Sequence, residues 1–218
     1  MAFGAANQAS GASVTLTGVP AGATIVAFLV ANNGTASAAG ASDSQGSYTT
    51  IGSVLSSSFA TLILTNANAG SHTITGSFTG DTVYCIVAAY WTGVGGVDNA
   101  GAAHAQQLIG ASGTGSDALT TGSFTTSTAN ATVAVFAFND TDTTAITAGT
   151  TPLSMTSEYT VNAGGTDYFL IEDNVWSGSG AINPTAGVAT SKSVAMIGFA
   201  LAPAGGGTDP MLVGQMCL

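Results

Sequence analysis

Apolar and polar positions alternate over short stretches of this chain, and nowhere do they recur at the i, i+3, i+4 spacing of an amphipathic helix. Val14 and Leu16 alternate with Ser13, Thr15 and Thr17, the pattern of a half-exposed strand. Residues 24–32 follow as a nearly continuous apolar strand. Asp43-Ser44-Gln45-Gly46-Ser47 reads as a turn, and residues 48–54 as the next strand. Residues 59–65 and 72–78 predict a hairpin across 66–70. Gly80-Asp81 is a tight-turn signal that leads into 82–91, the strongest strand of the chain. A Gly/Ala-rich connection spans 93–115, with one short helical turn expected over 100–108. Strands resume at 119–125 and 132–138, followed by a polar turn at 139–143. Met155, Tyr159 and Val161 alternate with Ser154, Thr156, Glu158 and Thr160. A loop at 162–165 joins them to 167–171 as a second hairpin, which Val175 and Trp176 extend. Residues 193–201 form the last strand, and 203–207 break regular structure.

This pattern predicts an all-β fold: an antiparallel β-sandwich, jelly-roll-like, of about ten strands and no long helices. One sandwich domain over 1–203 with an apolar tail at 204–218 is expected, because neither half has enough of these strands to cover its apolar faces. No internal repeat stands out. Several strands are apolar on both faces, where a lone sandwich needs one polar face. In 82–91, Val83, Cys85, Val87 and Ala89 lie on one face and Tyr84, Ile86 and Tyr90 on the other. In 132–138, Val133 and Val135 oppose Phe136 and Phe138. Loops and tolerated alanines are one cover for the second face; another subunit is the other. The tail residues Met211, Leu212, Val213, Met216 and Leu218 would be sticky if exposed, and are the candidate oligomer or shell contacts.

Composition narrows the function. Of 218 residues, 45% are hydrophobic and 6% charged, against about 25% charged in an ordinary domain. Eleven are acidic and one is basic, Lys192, for a formal net charge of −10. Phosphate is met by Arg, Lys or oriented backbone N–H groups, so nucleic acid and anionic membrane surfaces are poor partners. Salt bridges cannot hold such a fold together. Cys85 sits in an apolar run and Cys217 is penultimate; a buried thiol with a tail thiol, or a bridge between them, both fit. The start lacks the basic and apolar regions of a secretory peptide, so synthesis in a host cytoplasm is expected. The longest apolar run, 25–31, is far short of the roughly 20 residues of a membrane helix. Asn-x-Thr triplets begin at Asn33, Asn130 and Asn139, as a Thr-rich chain produces by chance.

Catalytic patterns are sparse. The histidines are His72 and His104, and there is no Gly-x-Ser-x-Gly elbow. Glu172 and Asp173 are adjacent and would point to opposite faces of a strand. A Glu158–Glu172 pair across the second hairpin is the one arrangement open to two-carboxylate chemistry, and two solvated acids explain it equally well. Asp140 and Asp142 on a turn suit a hard cation, but no glutamate completes a calcium loop. No Cys/His zinc spacing exists, and Gly93-Val94-Gly95-Gly96 has no following lysine, so it reads as flexible loop. Trp91, Trp176 and Tyr90 are either core residues or a sugar-stacking platform. The expectation is a chain that is not an enzyme and takes no cofactor.

The Met-initiated start without a signal and the Ala/Gly/Ser/Thr-rich strands resemble β-sandwich virion proteins of tailed phages, of the capsid decoration or cement type; the turn Asp43-Ser44-Gln45-Gly46-Ser47-Tyr48 and the closing strand Ala195-Met196-Ile197-Gly198-Phe199-Ala200-Leu201 are similar to segments of phage and bacterial β-sandwich proteins of unassigned role. The resemblance implies a homotrimer bound to the major capsid protein or another virion protein on the outer surface of the particle. It carries over no catalytic or binding residue. A carbohydrate-binding module or adhesin is the alternative.

Overall fold

The structure, a computed structural model, describes residues 1–54, 59–98, 106–109, 115–139, 144–163, 167–188 and 194–205. The first half of the chain forms β1 (Ala2–Ser10), β2 (Ser13–Val19), β3 (Ala23–Ala31), β4 (Ala38–Ser42), β5 (Thr49–Val54), β6 (Phe59–Ala67), β7 (Gly70–Thr79), β8 (Val83–Thr92) and β9 (Val94–Val97). The second half forms β10 (Gln106–Ile109), β11 (Gly115–Thr120), β12 (Phe124–Thr126), β13 (Ala131–Asn139), β14 (Ile146–Ala148), β15 (Thr156–Ala163), β16 (Asp167–Trp176), β17 (Gly180–Ile182), β18 (Thr185–Val188) and β19 (Val194–Pro203). The fold is all-β and antiparallel, as the alternation predicts.

The sheets stack in four layers. In the first half an inner sheet, β1-β8-β3-β6-β5, faces an outer sheet, β2-β7-β4. In the second, the inner sheet β10-β19-β13-β16-β15, with β9 also on β19, faces the outer pairs β11-β18-β14 and β12-β17. Leaving out β9, and counting β11 with β12 and β17 with β18 as one interrupted strand each, both halves nest their strands in the same way: first beside last, third beside sixth, second beside seventh. That is the double Greek key of a jelly roll. The chain is therefore two sandwiches in tandem, a finer arrangement than the single sandwich expected, and the duplication is one of topology that no sequence repeat betrays.

The two inner sheets pack on each other, and this explains the strands that are apolar on both faces. Along β3, Ile25, Ala27 and Leu29 point into the first outer core, while Val26, Phe28 and Val30 point into a middle core. Along β13, Ala134, Phe136 and Phe138 enter the same middle core, and Val133, Val135 and Ala137 the second outer core. The second cover is the other half of the same chain, so these faces supply no argument for a subunit contact.

The halves are related by reciprocity. Phe28 sits on β3 opposite Val87 of β8, and Phe136 sits on β13 opposite Ile197 of β19, an equivalent position. These two rings stack on each other, centroids 5.6 Å apart and 4° from parallel. Edge strand β1 lies against β15, and its counterpart β10 lies against β5. A residue meeting its own equivalent, with mirrored contacts on either side, is what an approximate two-fold axis requires.

Other expectations are corrected. β6 and β7 do not form a hairpin: β6 pairs with β3 and β5, and β7 with β2 and β4, so the chain turns a corner between sheets at Asn66, whose φ is 57°. The second hairpin forms as predicted, β15 on β16, with a register shift between Ser157 and Tyr159. Of the expected helical turn, the described part, Gln106–Ile109, is strand, because β19 offers it a free edge. Gly93-Val94-Gly95-Gly96 is not a loose loop; Val94–Val97 pairs with β19. Met1 rests against Gly93, and the Ala204 N–H donates to the Gly93 carbonyl at 2.8 Å. The tail contacts Met211, Leu212, Val213, Met216 and Leu218 lie outside the described residues, as do Cys217, His104, Lys192, Asp140 and Asp142.

Close backbone approach sets one strict requirement. A Cβ on Gly149 would lie 1.9 Å from the Thr185 carbonyl oxygen, and the Gly149 N–H donates to Glu172 Oε2 at 2.9 Å inside the second half. Gly149→Ala is expected to destabilise the protein by about 3 kcal/mol, the upper end for overpacking, because main chain must move. In urea the midpoint should fall with an unchanged slope.

Candidate functional site

Two polar clusters combine burial with ionisable groups. The first fastens the first half. The turn after β4 presents Asp43 and Gln45; the corner between β6 and β7 presents Asn66, Asn68 and His72. Asp43 Oδ1 accepts the Gln45 and Gly46 N–H groups at 2.8 and 3.2 Å, shaping its own turn. Its Oδ2 lies 2.6 Å from His72 Nδ1 and accepts the Tyr48 hydroxyl at 3.1 Å. His72 Nε2 is 2.9 Å from the Asn68 carbonyl. A carboxylate and a carbonyl only accept, so both ring nitrogens donate and the ring is an imidazolium. Gln45 completes the link, donating to the Asn66 carbonyl and accepting from Asn68 N–H.

The titrations follow. Burial alone would raise Asp43, but hydrogen bonds from His72, Gln45 and Tyr48 outweigh it and hold the carboxyl below its ordinary value. Burial alone would lower His72, yet the Asn68 carbonyl and Asp43 carry it upward. Burial and Asp43 push the Tyr48 phenol up. The His72 and Asp43 side chains are 4% and 0% exposed, so no reactant reaches the pair. It is a clasp between two turns.

The second cluster lies where the halves meet. Trp91, on β8 of the first half, is fully buried in the middle core. Its indole N–H donates to Asp173 Oδ2 on β16 of the second half at 2.6 Å. Glu158, at the register shift in β15, lines the same cleft as Asp173. A cleft of about 330 Å³ opens over them, bordered by Met1 and Phe3 of the first half and by Thr132 and Val175 of the second. Burial pushes the Asp173 carboxyl up to about 6, and the charge of Glu158 adds to this, against the Trp91 N–H. A second bond across the halves runs from the Tyr84 hydroxyl to Asp167 Oδ2 at 2.5 Å.

Set beside protein-family models, curated proteins and solved structures, the chain matches none of them. Its chemistry therefore rests on geometry alone.

That geometry rearranges the expected candidates. Glu158 and Glu172 do not meet. Glu172 points into the second half, toward Gly149, while Glu158 lines the cleft that Asp173 also borders. Alternation along β16 puts neighbours 172 and 173 on opposite faces, as the sequence indicates, but it is Asp173 that shares a cleft with Glu158. Trp91, Tyr90 and Trp176 form no platform. Trp91 faces the middle core and Tyr90 the first outer core, while Trp176 lies at the end of β16 over Gly178. The sequence could not single out Asp173, because its signal, a partner 82 residues away, is wholly tertiary.

Proposed function

We propose that this chain is a non-catalytic structural protein of a phage particle, of the capsid decoration type, acting on the outer surface through contact with the major capsid protein. The observation that supports this reading best is the use made of buried polarity. Asp43, Asp98, Asp167 and Asp173 each accept hydrogen bonds that fasten turns or join the halves. Two jelly rolls stacked through one core make a stiff body, and jelly rolls recur in capsid and lectin domains; that is fold-level analogy. The sparse basic charge fits an outer position, away from packaged nucleic acid. The glycan-binding alternative loses its strongest support with Trp91 in the core.

A homotrimer remains part of the proposal through the resemblance alone, since the two-faced strands are covered within the chain. Antibody raised against the purified protein is expected to decorate the outside of intact phage particles from the producing host. Labelling confined to the cell envelope, with bare particles, would overturn the assignment.

A further inference from the structure

We propose that Asn33–Gly34 is a self-modification site: the Gly34 main-chain nitrogen closes on the Asn33 side-chain amide, and the acid that results releases the turn between β3 and β4 from Asp81.

Asn33–Gly34 is the single Asn–Gly step of the chain. A following glycine has no Cβ to shield its nitrogen, so this is the step at which an amide carbon is most open to attack. Both residues are exposed, in the loop from β3 to β4, and Gly34 has a φ of 72°. The N–H groups on either side of Gly34 are committed. Asn33 and Thr35 both donate to Asp81 Oδ2, at 3.0 and 3.1 Å. The Gly34 N–H between them has no acceptor among the described residues. Asn33 Oδ1 accepts from Asn32 Nδ2 at 3.3 Å, which puts a donor where negative charge develops as the amide carbon is attacked.

The step balances with water alone. The Gly34 nitrogen gives its proton to hydroxide and bonds to Asn33 Cγ. The Cγ–Nδ2 bond breaks, and the amine takes a proton from water and leaves as ammonia. Water then opens the cyclic imide at either carbonyl, leaving aspartate or isoaspartate at position 33. Nothing is oxidised or reduced.

The fold makes this exchange a structural event. Asn33 Nδ2 donates to Asp81 Oδ1 at 3.2 Å, and the carboxylate that replaces the amide has no proton to donate. Asp81 also accepts from the Thr35 hydroxyl and the Thr82 N–H, so one side chain fastens the whole turn. Desolvation alone would raise the Asp81 carboxyl, but hydrogen bonds from the main chain of Thr35, Thr82 and Asn33 and from the Asn33 side chain bring it down to about 2. At neutral pH the new carboxylate therefore faces one that is already ionised, and like charges repel. Isoaspartate adds a methylene to the main chain and shifts the Thr35 N–H as well. The turn is pinned on both sides, by Asn32 N–H on the Thr82 carbonyl at 3.0 Å and Ser37 N–H on the Thr79 carbonyl at 2.9 Å. Release is thus confined to residues 33–36.

The test is to hold the full-length protein at pH 8 and 37 °C for some weeks, then to map peptic peptides by mass and measure amide hydrogen exchange. The peptide spanning residue 33 is expected to gain one mass unit and to contain isoaspartate, ahead of every other asparagine. Asn33→Gln, whose longer side chain closes far more slowly, should not convert. The Thr35 amide should exchange at least tenfold faster in converted than in fresh protein, with Ser37 little changed, and Asn33→Asp should show the faster exchange from the start. The proposal falls if residue 33 gains no mass while a free peptide of residues 30–37 converts under the same conditions. It falls equally if residue 33 converts and the Thr35 amide exchanges as before. Aged wild-type protein decides the second point if Asn33→Asp does not fold.

Discussion

Phe136→Ala is expected to cost about 4 kcal/mol, within the range for deleting a fully buried phenylalanine. The ring is central in a literal sense: it stacks on Phe28 at 5.6 Å and on Phe199 at 5.8 Å, and meets Trp91 edge-on at 6.4 Å. No loop can collapse into the space it leaves, because inner sheets bound it on both sides. For a chain of this length each kcal/mol moves the melting temperature by about 2–4 °C, so a fall on the order of 10 °C should appear. Since both halves bury their inner faces in this one core, calorimetry should show a single transition in wild type and variant, with van't Hoff and calorimetric enthalpies equal. Two resolved transitions would mean that each half is stable alone and that the middle core adds little.

Asp43→Ala should rank next, at about 3 kcal/mol, because it strands the His72 imidazolium and the Tyr48 hydroxyl without their acceptor. The lower end of the buried-pair range applies, since the clasp lies between surface turns. Its pH dependence separates it from simple loss of packing. Asp43 is held below its unfolded value, so its contribution is complete above about pH 4 and is lost as pH falls through the folded value. His72 is raised, so its contribution is complete below about pH 6.5 and is lost as pH rises through the folded value. The gap between wild type and variant in urea midpoint should be widest between these limits and narrow on both sides. A gap constant from pH 3 to 9 would show that the pair contributes shape and not charge.

Much of the fold is legible in the chain because its longest strands carry their own signal. Residues 24–32, 82–91, 132–138 and 193–201 match β3, β8, β13 and β19 within two residues at either end. These four strands are the centres of the inner sheets, apolar on both faces for a reason that lies outside any one strand. The sequence states that both faces need cover; only the three-dimensional arrangement says that each half covers the other. β1 escaped notice because Ala2–Ser10 has a single strong strand former, Phe3, among Ala, Gly, Asn, Gln and Ser, and forms by pairing with β8. The short strands β14, β17 and β18, of three or four residues, have too little pattern to read. The false hairpin at 66–70 has a similar cause. A corner between sheets and a turn within one sheet use the same Asn and Gly residues, and the difference lies in where the partners are.

The candidate site was legible only in fragments. Glu158 stood out as one of two glutamates, and the register shift that places it in the cleft with Asp173 has no local signature. His72 looked like an ordinary strand residue, yet it supplies the positive charge that a chain with one lysine otherwise lacks. Among the described residues, the ion pair formed by His72 and Asp43 closes a corner instead of decorating a surface.

The meeting of Met1, Gly93 and Ala204 at one corner bears on how the molecule carries load. A pull between residues 1 and 205 enters at a single point, and β1 would unzip from β8 one pair of hydrogen bonds at a time. A tangential force on the two outer sheets is different: it must slide one inner sheet over the other, dragging interlocked aromatic rings past each other all at once. The protein is thus brittle along its chain and stiff across its layers.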